Sequence, residues 1–184
     1  MNIKPQNILI NEYLLIKLTD FSVSFNYKDY KNPEDIIEIP SVGTSYFMSP
    51  ETLDNKKNKI KVKDASKIDL YSLGVTLFVL AFCQYPYNLH KIEHKNYEGI
   101  KNAIEKNELI FPNEDNEYSQ RFINFLEHLL NKDINKRYNI EQAMNDPWVK
   151  KSTILLDEKE KLFNSGKFLT ELLLDGITEF NNSD

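Results

Sequence analysis

The sequence predicts a mainly α fold, a helical bundle preceded by a short N-terminal β-hairpin. Three observations predict it. Asp69 to Cys83 is apolar nearly all round and of helical length. Later stretches repeat apolar residues at three- and four-residue steps. Ahead of both, Asn7 to Ile10 and Tyr13 to Leu18 are short apolar runs around the polar pair Asn11 and Glu12, which reads as two strands and a turn.

At 184 residues and 21.6 kDa the chain has the size of one ordinary domain. A chain of that length buries roughly 70% of the surface its unfolded form exposes, enough for a core. Twenty-three basic and 28 acidic residues give a net charge of −5, which argues against nucleic acid or an anionic membrane surface as the main partner. A hydrophobic content of 41% beside 28% charged residues suits a soluble globular protein. None of the five glycines falls in the first 42 residues, so no glycine-rich phosphate loop sits there. A single cysteine, Cys83, excludes an internal disulfide and fits a reducing compartment; in its apolar run it reads as buried and inert. The N-terminus lacks the layout of a signal peptide. The longest apolar run, Leu70 to Cys83, is shorter than the roughly 20 residues that span a bilayer, so it reads as a core helix. The expected location is intracellular, in the cytoplasm.

Each element has its own signal. After the hairpin, Asn26 to Thr44 has loop composition. Asn55 to Lys67, with Lys56, Lys57, Lys59, Lys61 and Lys63, reads as a solvated surface loop. The apolar helix begins at Asp69. His94 to Lys106 is amphipathic through Tyr97, Ile100 and Ile104. Ser119 to Leu130 lines up Phe122, Phe125, Leu126, Leu129 and Leu130, with Ser119 as the N-cap. A short helix at Ile140 to Met144 ends before Pro147, and Trp148 reads as a packing anchor. Beyond a charged stretch at Asp157 to Lys161, the apolar residues Phe168, Leu169, Leu172 and Leu173 predict a tail helix. Residues 1–150 are expected to form one lobe and 151–184 the tail.

Function is carried by polar residues in order. Lys4-Pro5-Gln6-Asn7 precedes the first strand and Asp20-Phe21-Ser22 follows the second. A lysine, an amide and a carboxylate on loops flanking a hairpin are expected to converge on one point. Phosphoryl transfer needs such a set, with oxygens for Mg²⁺ and a cation for the transferred group. His90, His94 and His128 lie apart without metal-ligand spacing and read as surface histidines.

These residues resemble motifs of the eukaryotic protein kinase family, of serine/threonine type, in the C-terminal lobe of its catalytic domain. Asn2-Ile3-Lys4-Pro5-Gln6-Asn7 is similar to the catalytic-loop motif D-x-K-P-x-N, and Asp20-Phe21-Ser22 to D-F-G. Gly43 to Glu51 resembles the G-T-x-x-Y-x-A-P-E end of the activation segment. Asp69 to Val75 resembles D-x-W-S-x-G-V, and Arg137, Ala143 and Asp146-Pro147-Trp148 resemble the closing motif.

The resemblance implies a kinase-like C-lobe and, for the family, ATP-dependent phosphorylation of protein serine and threonine with Mg-ATP as cofactor. It implies that Asn7 and Asp20 hold the metal and that Lys4 contacts the γ-phosphate. Thr44 then hydrogen-bonds Lys4, Glu51 pairs with Arg137, and Asp69 accepts hydrogen bonds from the catalytic loop. Asn2 takes the place of the proton-accepting aspartate, and Ser22 that of the D-F-G glycine, which biases that loop. The family's N-terminal lobe has no counterpart in the sequence. The chain on its own is therefore expected neither to retain Mg-ATP nor to catalyse transfer. Because Met1 falls inside a motif, it reads as a piece of a longer kinase-like protein; the alternative is a non-catalytic pseudokinase scaffold. The expected partners are a protein substrate or binding protein and a missing N-lobe segment of the same protein, with neither nucleic acid nor membrane. Ser41, Thr44 and Ser45 sit where phosphosites occur. With only Arg121 and Arg137 in the chain to read a phosphate, activation by phosphorylation is not expected.

Overall fold

The computed structural model describes residues 2–11, 15–24, 26, 30–54, 59–112 and 119–150. The chain divides into two compact units, Met1–Ala143 and Met144–Asp184. The expected tail helix lies outside the described residues.

The first unit opens on a one-turn 3₁₀ segment, Pro5–Asn7, set by Pro5 at its first position. β1 (Ile8–Ile10) and β2 (Ile16–Leu18) follow as an antiparallel pair in the register Ile8↔Leu18, Leu9↔Lys17, Ile10↔Ile16. Asn11 closes their turn, its Oδ1 accepting from Leu15 N at 2.9 Å. The hairpin is apolar yet open: Leu9, Ile10, Leu15 and Ile16 are all more than half exposed.

Two stretches read as loops contain strands. β3 (Ile36–Glu38) pairs antiparallel with β4 (Lys59–Lys61), matching Ile36↔Lys61, Ile37↔Ile60 and Glu38↔Lys59. Each strand has only three residues, so neither shows a period of its own. Between them lies α1 (Pro50–Leu53), with Pro50 at its first position.

α2 (Ala65–Phe82) is the central helix. It starts four residues before Asp69, because the polar turn at its start is held in place: Lys67 bridges Asp64 at 2.9 Å and donates to the Ile134 carbonyl. Asp69 is therefore within the helix rather than at its start. By length and composition alone the 21 residues Val62–Phe82 would suffice to cross a membrane, more than the run counted from Leu70. Here Leu70, Tyr71, Val75 and Phe78 are buried in protein. Gly74 lets a neighbour come close, since a Cβ there would lie 2.9 Å from Leu129 Cβ and 3.1 Å from Leu130.

α2 ends at Cys83, which adopts a left-handed conformation with φ 54° and is exposed. The expectation of a buried thiol is thus corrected. The cysteine sits past the buried stripe, where the chain leaves the helix.

α3 (Tyr97–Lys106) is capped by Asn96, whose side chain accepts from Gly99 N. α4 (Gln120–Leu129) has the expected Ser119 cap, accepting from Phe122 N, and buries Phe122, Phe125, Leu126 and Leu129. α4 packs on α2, and α3 packs on α1. α5 (Ile140–Asn145) is the last named helix. In the second unit Asp146 caps a further turn, accepting from Trp148 N at 2.8 Å.

Candidate active site

The loop ahead of β1 is built around Asn7. Its Nδ2 donates to the Asn2 carbonyl at 2.7 Å and reaches Asp20 Oδ2 at 3.4 Å. Its own carbonyl accepts from Thr19 N at 2.9 Å. The amide therefore joins the loop before the hairpin to the loop after it. Thr76 of α2 sets its hydroxyl 3.5 Å from the Ile3 carbonyl beneath.

Asp20 stands exposed in the left-handed region, φ 59°, which aspartate tolerates better than most side chains. Ser22 donates to Asp20 Oδ1 from its hydroxyl at 2.5 Å and from its backbone N–H at 3.4 Å. These two bonds hold the Asp20 carboxyl below its ordinary value, with the Asn2 and Asn7 side chains adding to the effect. The positive φ falls on Asp20 and not on Ser22, so serine meets no backbone strain in the glycine's place. Its hydroxyl instead clamps the carboxylate. That clamp escaped the sequence reading; the signal for it was a hydroxyl two residues after an aspartate, the spacing of a side-chain-to-backbone turn.

The third segment of the site is the chain around Gly43 and Thr44. Lys4 Nζ donates to Thr44 Oγ1 at 2.7 Å, and Thr44 N points at Asn2 Oδ1 from 3.4 Å. Gly43 has φ 121°, and a Cβ on it would lie 3.2 Å from Asn2 Oδ1. Both the angle and the approach demand glycine. Asn2, Lys4, Asn7, Asp20 and Thr44 thus form one connected group.

Glu51 and Arg137 lie in the interior of the fold, apart from that group. Arg137 is 1% exposed. It grips Glu51 with both terminal nitrogens, NH1 to Oε1 at 2.6 Å and NH2 to Oε2 at 3.0 Å. It also donates to the Asn131 carbonyl at 2.9 Å and the Lys67 carbonyl at 3.1 Å. Its guanidinium also lies over Tyr71, 4.8 Å from the ring centroid. Asp69 is half-buried on α2.

The three candidate phosphosites are all engaged. Ser41 Oγ donates to the Thr52 carbonyl at 2.6 Å, Thr44 accepts from Lys4, and Ser45 Oγ donates to the His94 carbonyl at 2.6 Å. His94 also stacks on Tyr46 with centroids 3.8 Å apart, a role the sequence reading did not assign.

Among the described residues no group of three or more His, Cys, Asp or Glu gathers to hold a metal ion. The Asn7–Asp20 pair is one carboxylate beside one amide. That set fits Mg²⁺ carried by a nucleotide, which binds through one or two protein oxygens and takes the rest from phosphates and water.

The sequence matches the protein kinase domain over residues 1–149. The chain belongs to the protein kinase family. It is 34% identical over 148 residues to the serine/threonine-protein kinase ppk34 of Schizosaccharomyces pombe, covering 80% of this chain and 37% of that protein. It is 30% identical over 166 residues to the serine/threonine-protein kinase dst2 of Dictyostelium discoideum, covering 85% of this chain and 13% of that one. A third relative, the serine/threonine-protein kinase ssp1 of Schizosaccharomyces pombe, is 30% identical over 148 residues, 80% of this chain and 22% of its own length. The chain therefore spans little more than a third, at most, of each of these kinases.

Proposed function

We propose that this chain is the C-terminal lobe of a serine/threonine-protein kinase domain, with Asn7 and Asp20 as the metal-holding pair, and that by itself it does not transfer phosphate. The observation that carries this reading is Asn2. Its neighbours Lys4, Asn7, Asp20 and Thr44 are assembled around it, yet the group in their midst is a neutral amide. An amide has no basicity near pH 7, whereas a carboxylate accepts a proton. Loss of such a base lowers a rate by about 10²–10⁴-fold.

Each side chain then has a bounded task. Asn2 orients a substrate hydroxyl by hydrogen bonding and leaves its proton in place. Lys4, held by Thr44, keeps a fixed positive charge beside the loop. Asp20, clamped by Ser22, offers Oδ2 next to the Asn7 amide. Magnesium, when bound with its nucleotide, neutralises charge on the phosphate oxygens. The 184 residues hold no G-x-G-x-x-G strand to cover a nucleotide, so retention of Mg-ATP depends on residues outside this chain. An intracellular, cytoplasmic setting and a protein substrate belong to the same reading.

The test is phosphate incorporation from Mg-ATP into serine and threonine peptides. The expected result is none above background for this chain. Transfer by the chain that disappears in Asp20→Ala overturns the reading. For the metal pair, Mn²⁺ should broaden the Asn7 and Asp20 amide resonances first, and Asp20→Asn should abolish that selectivity.

A non-catalytic protein-binding scaffold is the second reading. The open apolar hairpin favours it, with Leu9, Ile10, Leu15, Ile16 and nearby Phe21 all more than half exposed. Failure of the intact chain to retain any protein, with the same result after Ile16→Ser, counts against it.

A further inference from the structure

Gly43 and Thr44 arrive at the Asn2–Lys4 loop on the stretch 30–49, and the structure shows what holds that stretch in place. β3 is zipped to β4, and the ladder runs on past the strands: Val62 N donates to the Asp35 carbonyl at 2.9 Å and Lys63 N to the Pro33 carbonyl at 3.0 Å. The inner face has its own core of Ile37, Ile39, Ile60, Val62 and Ala65, packed against Ile68 and Ile134. On the outer face Glu34 takes two lysines, Lys61 at 2.8 Å and Lys63 at 2.5 Å. Downstream, Ser41 is pinned to the Thr52 carbonyl.

No arginine pocket competes for this role. The chain has two arginines; Arg137 is committed to Glu51 in the interior, and Arg121 lies exposed on α4.

We propose that the β3–β4 ribbon and its Glu34 clamp position Gly43 and Thr44 on the Asn2–Lys4 loop, so that this contact forms in the unmodified chain without phosphorylation of residues 30–49. Glu34, Ile37 and Ile60 are its positioning residues. The inference goes beyond the proposed function, because it concerns how the stretch is held and stands whether or not the site transfers phosphate.

Two magnitudes support the assignment. A two-stranded ribbon of three-residue strands is marginal by itself, so its buried isoleucines and outer charges decide whether it forms. A slip of one residue shifts the strand by about 3.3 Å and turns Ile37 outward. Four residues lie between Glu38 and Gly43, and the Lys4–Thr44 bond is 2.7 Å long. A displacement of that size, passed along so short a tether, breaks it.

The test is amide hydrogen exchange and amide chemical shift at Thr44 in the unphosphorylated 184-residue chain. In the unmodified chain Thr44 should be protected. Glu34→Lys, at an exposed position, should speed its exchange about tenfold and shift its amide resonance, with the α2 and α4 amides unchanged. Adding Lys61→Glu and Lys63→Glu to Glu34→Lys should restore both. Ile37→Ser should act in the same direction and more strongly. The proposal is overturned if Thr44 exchanges freely in the unphosphorylated chain. It is equally overturned if Glu34→Lys frees residues 36–38 and leaves Thr44 protected, or if the charge-reversed triple variant fails to restore it.

Discussion

Two carboxylates in this molecule live in opposite surroundings. Glu51 is enclosed and shares both oxygens with an arginine that solvent does not reach. Asp20 stands in the open, held by a serine hydroxyl and two side-chain amides. In the enclosed pair both Glu51 oxygens face Arg137, whose guanidinium also donates to two backbone carbonyls of the fold. Asp20 Oδ2 meets the Asn7 amide at a long 3.4 Å, and the Asn2 side chain acts on the same carboxyl. Rigidity is thus concentrated at the interior pair, and ligand capacity is left at the exposed carboxylate.

The largest way to break that contrast is to open the enclosed pair. Arg137→Ala leaves Glu51 and two carbonyls without their partner, and Glu51→Ala leaves a buried guanidinium uncompensated. Each should lower unfolding stability by about 3–5 kcal/mol in urea denaturation. A double-mutant cycle should show strong coupling between them; independent, additive losses would contradict the geometry. Next comes Gly74→Val, which forces a side chain to within 2.9 Å of Leu129 Cβ and should cost about 1–3 kcal/mol through overpacking of α2 on α4. An unshifted thermal midpoint would show that the two helices separate freely.

Gly43→Ala acts at the edge of the open region. It strains a φ of 121° and crowds Asn2 Oδ1, a penalty of about 1–3 kcal/mol. The Thr44 amide resonance should move and the Lys4–Thr44 contact weaken, with the Glu51–Arg137 pair untouched.

The enclosed region was far more legible in the sequence than the open one. Apolar periodicity located α3 and α4 within a few residues, and Ser119 announced its own cap. α2 extended further back than its apolar run because Asp64 and Lys67 are bound by partners distant in the chain, which periodicity does not register. The motifs named Asn2, Lys4, Asn7, Asp20 and Thr44. Three other features had no local signal. β3 and β4 pair residues 21 to 25 positions apart in sequence, and a three-residue strand becomes visible only beside its mate. Ser22 looked like a source of backbone strain until the positive φ fell on Asp20 instead. Cys83 belongs to an apolar run by composition and to the surface by the left-handed turn that ends the helix.

A smaller effect is a pH response on the ribbon. Lys61 and Lys63 pull Glu34 down to about 2, and Asp64 acts in turn on Lys61. A depressed carboxyl stabilises the fold above its ordinary value of 4.5 and loses that contribution as pH falls through the folded value. Protection of residues 36–38 should therefore decline between about pH 4.5 and 2, and Glu34→Gln should remove that dependence at all pH values. A decline of the same size in Glu34→Gln would assign it to other carboxyls.

The smallest expected effect is also the one that sharpens the contrast most. Ser22 is the main cause of the lowered Asp20 carboxyl, through its hydroxyl first and its backbone N–H second. Ser22→Ala removes the hydroxyl and keeps the N–H, so the midpoint of Asp20 should rise toward its ordinary 3.8 without reaching it, because the backbone bond and the amides of Asn2 and Asn7 persist. The group is fully exposed, so its titration follows local hydrogen bonds and is open to salt. Carboxyl ¹³C shifts across the acid range measure it directly. A midpoint unmoved in Ser22→Ala would mean that the hydroxyl does not hold the carboxylate in solution. A rise confined to Asp20, with the Glu51–Arg137 pair still closed, would show that the open carboxylate is tuned locally while the enclosed one is set by the whole fold.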